Sequence, residues 1–117
     1  MNNVINEILA MKVMGYKDAI GFNPMENMKD TWEVVEKLRD LSVEILVRHW
    51  GRERGEENDG YFANAHENKK TRINYFTVAP TASVAICLSA CRALGVDVDI
   101  YNHDEELRLW SKEVTVG

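Results

Sequence analysis

The chain has 117 residues, 45% hydrophobic and 28% charged, which implies a single domain spanning residues 1–117 with a core of its own and excludes disorder. A net charge of −5 argues against a protein built to neutralise nucleic-acid phosphates, so nucleic acid is not an expected partner. The only two cysteines, Cys87 and Cys91, share one apolar stretch, which excludes a disulfide framework and fits a reducing compartment.

No basic segment followed by an apolar block opens the chain, and no run of about 18 apolar residues occurs anywhere, so neither a secretory signal nor a membrane span is expected. The expected location is cytoplasmic. Residues 2–14 place Val4, Ile5, Ile8, Leu9, Met11 and Val13 at helical spacing before Gly15, which predicts a first helix. Residues 16–28 carry Gly21, Asn23 and Pro24 without a sustained period and predict a loop of the length that lines sites. A second, amphipathic helix is predicted from Asn27 or Asp30 to Leu41, with Trp32, Val35 and Leu38 on its apolar side, joined there by Val34 and Leu41.

The period then changes to two. Val43, Ile45, Val47 and His49 alternate with Glu44, Leu46, Arg48 and Trp50, which predicts a strand over residues 42–50. The charged run 51–60 predicts a mobile hairpin loop, and residues 61–66 and 71–78 read as two returning strands of an antiparallel meander. Pro80 and Thr81 suit the start of a third helix that ends at Gly95. That helix is apolar around most of its circumference, so it must be buried against the sheet on one side and another element or another subunit on the other. Alternation over residues 96–100 predicts an extended segment, and residues 104–110 a final helical turn or two.

Short motifs in this order carry a family resemblance: KVMGY at residues 12–16, FNP at 22–24, TWEVVEKL at 31–38, SVEI at 42–45 and APTASVAICLSACRALG at 79–95. The chain resembles the phage ABA-sandwich domain, a family of small bacteriophage and prophage proteins. The resemblance implies an α+β sandwich, three-layer α-β-α, with a central, mainly antiparallel sheet of three or four strands and three to four helices. It also implies a phage setting, and so the cytoplasm of the host, but it supplies no catalytic residue.

The residues themselves offer few sites. Cys87 and Cys91, one helical turn apart, could form half a metal site, yet no further ligands stand at the required places, and buried cysteine is the commoner reading. His49, His66 and His103 could converge as a metal or acid–base cluster, but histidines at strand ends are more often solvated. No glycine-rich phosphate loop and no hydrolase or zinc-protease motif is present, so no cofactor and no metal site is expected, and a non-enzymatic role is favoured. The most suggestive set is Arg48, Trp50, Arg52 and Arg54 facing Tyr61, Asn64 and His66, because aromatic and guanidinium groups together can stack on a base and hold a phosphate. A mixed-charge hairpin loop is the commoner explanation of the same run. Trp32, Met11, Met14 and Met25 could line a groove, although such residues more often fill core. The sequence therefore points to a phage accessory protein that binds a host protein or a nucleotide-like small molecule and forms a homo-oligomer, a dimer first. A nucleotide-sequestering or nucleotide-processing protein and a virion or assembly component stand as alternatives.

Overall fold

The computed structural model describes residues 3–50, 60–67 and 74–98. The predicted first helix is present as α1 (Asn3–Leu9), but it continues as a π-helical turn over Ala10–Met14. The turn is closed by Gly15 at φ 74°, whose N–H donates to the Ala10 carbonyl, and Tyr16 N–H reaches the same oxygen at 2.8 Å. Only glycine adopts that backbone without strain. The wider turn rotates the apolar stripe. Ile5, Leu9, Ala10 and Val13 point inward, while Met11, spaced as a core residue, is 58% exposed.

Helix α2 (Met28–Asp40) is capped by Asn27, whose side chain accepts from Asp30 N–H at 3.2 Å. Its buried face is Thr31, Val34, Val35 and Leu38, one position round from the predicted stripe. Trp32 and Leu41 are exposed. The reason is Thr31, whose hydroxyl reaches the carbonyls of Pro24 at 2.6 Å and Asn27 at 2.9 Å and the Ser83 hydroxyl at 2.9 Å. A β-branched residue with every polar atom satisfied can occupy the core, and it displaces the larger indole to the rim.

Strands β1 (Val43–Trp50), β2 (Gly60–Glu67) and β3 (Asn74–Ala79) form an antiparallel sheet in the order β1-β2-β3, the predicted meander. The register pairs Val43 with Glu67 and Trp50 with Gly60 on one side of β2, and Tyr61 with Ala79 and His66 with Asn74 on the other. Alternation therefore assigns Val43, Ile45, Val47, Ala63, Ala65 and Thr77 to one face and Leu46, Arg48, Phe62, Asn64, His66 and Phe76 to the other.

Helix α3 (Ala82–Ala93) starts at Thr81, whose side chain accepts from Val84 N–H at 3.2 Å, and lies across the first face. Ala63 and Ala65 leave room for close approach, and the Ser89 hydroxyl donates to the Ala63 carbonyl at 3.1 Å. On the far side of α3 the core continues through Ile5, Leu9, Val34 and Leu38 with Cys87, Leu88 and Cys91. The second cover that an all-round apolar helix requires is thus supplied by α1 and α2 of the same chain. All three described helices lie on this one side of the sheet. Val96 packs on that core and Val98 is buried in it. The loop predicted before Gly60, the start of the predicted strand at 71–73, the end of the extended segment at 99–100 and the turns predicted over 104–110 lie outside the described residues.

Candidate binding face

The loop predicted over residues 16–28 as a possible site, observed between Met14 and Met28, is pinned to the core. Asn6 donates to Asn23 Oδ1 at 2.8 Å and accepts from Met25 N–H at 3.1 Å, while Asn23 N–H donates to Asp30 at 2.8 Å. Phe22, Pro24 and Met25 are buried, and Tyr16 stands edge-on to Phe22 at 5.4 Å. The FNP motif is therefore a clamp between α1 and α2. A shallow depression of about 340 Å³ beside it is lined by Asn6, Glu7 and residues 19–23, and the Asn6 amide there is already engaged at both Nδ2 and Oδ1. A second, of about 580 Å³, is lined by Met14 and the charged side of α2. Neither gathers a convergent polar set on an apolar floor, as a small-molecule site does. Of the proposed groove residues, Met25 is buried, Met14 borders the second depression, and Met11 and Trp32 are exposed.

The thiols are equally unpromising as chemistry. Burial raises the Cys87 thiol well above its ordinary value, and the neighbouring Cys91 charge adds to this. Cys91 is pushed up to about 12 by burial, against the lowering effects of Arg92 and Lys12. Both stay protonated at neutral pH, the wrong form for a nucleophile or a metal ligand. Among the described residues no cluster of His, Cys, Asp and Glu could hold a metal ion. His49 and His66 lie on opposite faces of the sheet, and His103 is outside the described residues.

The side chains that do assemble are on the sheet face turned away from the helices. One row runs Glu44, His66, Asn74, the next Leu46, Asn64, Phe76, and the third Arg48, Phe62, Val78. The rings of Phe62 and Phe76 lie 5.4 Å apart at 33°, the diagonal cross-strand neighbours that an antiparallel pair brings together. The Arg48 guanidinium sits 5.6 Å over the Phe62 ring, within cation–π range. Asn74 Oδ1 accepts from Asn64 Nδ2 at 3.0 Å and lies 3.0 Å from His66 Nδ1. That oxygen can only accept, so His66 Nδ1 is the donor in this contact. Asn64 Oδ1 is held in turn by Tyr75 N–H at 3.2 Å. Leu46 and Phe76 remain 57% and 40% exposed on either side of Asn64 in the middle row.

Arg48, Asn64 and His66 therefore share a face, as the sequence reading grouped them, but Tyr61 does not. It lies on the helix side, edge-on to His49 at 5.6 Å. Trp50 ends β1 opposite Gly60, and Arg52 is outside the described residues. The residues that sequence reasoning missed are Leu46, Phe62, Asn74 and Phe76. Parity alone could have found Phe62: an odd-numbered residue of β2 cannot share a face with Asn64 and His66, whereas Phe62 must.

The model of the phage ABA sandwich domain matches residues 7–91, well over half of the chain and all three strands with most of the helical layer. The chain belongs to that family. No curated protein and no solved structure was found to match it. The ABA-sandwich match ends at Cys91 inside α3, so the sheet and its exposed face fall within the family's part of the chain. Among the described residues no helix is long and apolar enough to cross a membrane.

Proposed function

We propose that this ABA-sandwich chain is a non-enzymatic phage accessory protein of one domain. It acts in the host cytoplasm, forms a homodimer, and docks a host protein on the open sheet face. The observation that carries this reading is the exposure of Leu46 and Phe76, 57% and 40%, on either side of Asn64 in the middle row of a face that ends in the polar row Glu44, His66 and Asn74. Exposed apolar and aromatic side chains with an arginine beside a polar row are the composition of a protein-binding surface, and an open sheet face suits a macromolecule better than a small ligand. The three-layer arrangement belongs to the same reading. Val78, on this face by register, is only 2% exposed, so a further helical layer would lie over that end and leave Leu46 and Phe76 accessible.

A second reading, a nucleotide-like ligand, is favoured by one observation: the Arg48 guanidinium over Phe62 beside a second exposed ring, a combination that can stack a base. The two readings separate in one set of measurements. Host extract passed over wild type and over a Leu46→Ser, Phe76→Ser variant of unchanged circular dichroism should yield a partner with the first and not the second. Alongside, a thermal-shift panel of nucleotides should leave both proteins unmoved. Stabilisation by a nucleotide that is lost in Arg48→Ala would instead establish the second reading. A virion component would be recovered in purified particles.

A further inference from the structure

The two outer strands of the sheet are treated differently. At β3 the Arg92 guanidinium, at the end of α3, donates to the Phe76 carbonyl at 2.7 Å and to Thr77 Oγ1 at 3.1 Å, so a main-chain acceptor in mid-strand is already taken. At β1, among the described residues, no strand pairs on the outer side and no side chain takes the main-chain groups. Its pairing to β2 runs without a bulge from Val43 to Trp50, and it contains no proline, glycine or lysine. Every residue from Glu44 to His49 keeps solvent exposure. A regular eight-residue outer strand of this kind is a template for another strand, and proteins normally blunt such an edge.

The charges of β1 say which strand fits. Glu44 and Arg48 lie on one face, two residues either side of Leu46. A twofold axis through Leu46 sets an antiparallel copy beside it, with Glu44 opposite the partner's Arg48 and Arg48 opposite the partner's Glu44. Leu46 then meets the partner's Leu46, and Ile45 meets the partner's Val47. Moving the axis by one residue sets Glu44 or Arg48 against the partner's Leu46 and loses the match. An isologous interface needs this self-complementarity, and charges that would repel a random strand here select an identical one.

We propose that β1 is a self-association edge, at which a second copy of this chain adds its own β1 antiparallel about Leu46 and joins the two sheets into one. This rests on the homodimer in the reading above and not on the ligand of the sheet face. It places the exposed Leu46 of both copies side by side, so that the binding face runs unbroken across the dimer.

The test is native mass spectrometry and size exclusion of the full chain at tens of micromolar, with circular dichroism to confirm folding. Wild type should be dimeric, Arg48→Glu and Glu44→Arg should each shift to monomer, and the double exchange Glu44→Arg, Arg48→Glu should restore the dimer. A monomeric wild type overturns both the homodimer and this edge. A dimer that persists in both single variants overturns the edge and leaves self-association standing. Should the charge variants misfold, Leu46→Cys decides: strand pairing about this residue brings the two Cα atoms to about 4.5–5.5 Å, within disulfide reach. Mild oxidation should then give a covalent dimer quickly, while Ile20→Cys, in a loop position 89% exposed, should not. Equal rates for the two overturn the proposal.

Discussion

Two kinds of buried residue sit in the core, and they answer to different tests. Cys87 and Cys91 are protonated because burial disfavours the thiolate, and Cys91 is held up to about 12. A thiol whose value rises on folding contributes stability that is complete below the unfolded value, about 8.5, and lost as pH climbs through the folded value. Stability should therefore fall between about pH 8.5 and 12, and a Cys87→Ala, Cys91→Ala variant should fall less steeply when melting temperature is followed against pH. Neither thiol should react with an aromatic disulfide reagent until the chain unfolds. Thr31 is the opposite case, a polar residue whose burial is offset by its partners at Pro24, Asn27 and Ser83. Thr31→Val keeps the shape and removes the donor from the Pro24 carbonyl and from the Ser83 oxygen, while Ser83 keeps its own contact to Met28 Sδ. A loss of about 1–3 kcal/mol in denaturant unfolding is expected. A loss near zero would show that water takes over these contacts.

At the scale of elements, what was legible depended on the strength of the period. The twofold alternation of β1 and the stop signals around α3 placed those elements within a residue or two of their observed bounds. Helix α2 was located correctly and turned wrongly, because hydropathy ranks Trp32 above Thr31 while the hydrogen bonds of the 15–27 loop favour the threonine. The π-helical turn was invisible, since Met11 and Val13 suit either helical period until the Gly15 cap selects one. The grouping of Tyr61 with Asn64 and His66 ignored strand parity, which the sequence already contained. The short link from α2 to β1 holds one strained point, Ser42 at φ 64°, closing the turn with its N–H on the Arg39 carbonyl at 3.0 Å. Left-handed backbone costs a side-chain-bearing residue roughly 1–2 kcal/mol, and glycine's extra freedom when unfolded returns about 0.5–1 kcal/mol of that. Ser42→Gly should thus stabilise the protein by about 0.5 kcal/mol, read as a raised denaturation midpoint at unchanged slope.

The whole molecule is organised around α3, which is covered by the sheet on one side and by α1 and α2 on the other. Both clusters of the core draw on it, so Leu88→Ala should cost about 2–5 kcal/mol and lower one cooperative transition instead of splitting it. Helix α3 also controls the outer boundary of the sheet, because Arg92 at its end engages Phe76 in mid-β3. If β1 joins a second copy as proposed, that contact is what blunts the opposite edge among the described residues. A twofold contact at one edge closes after two chains, whereas a sheet open at both edges can extend without limit. Arg92→Ala should therefore convert a closed dimer into species whose size grows with protein concentration, measured by light scattering on freshly folded protein. Combining it with Arg48→Glu separates the two edges: growth should then halt at pairs joined through β3, since each chain would retain a single open edge.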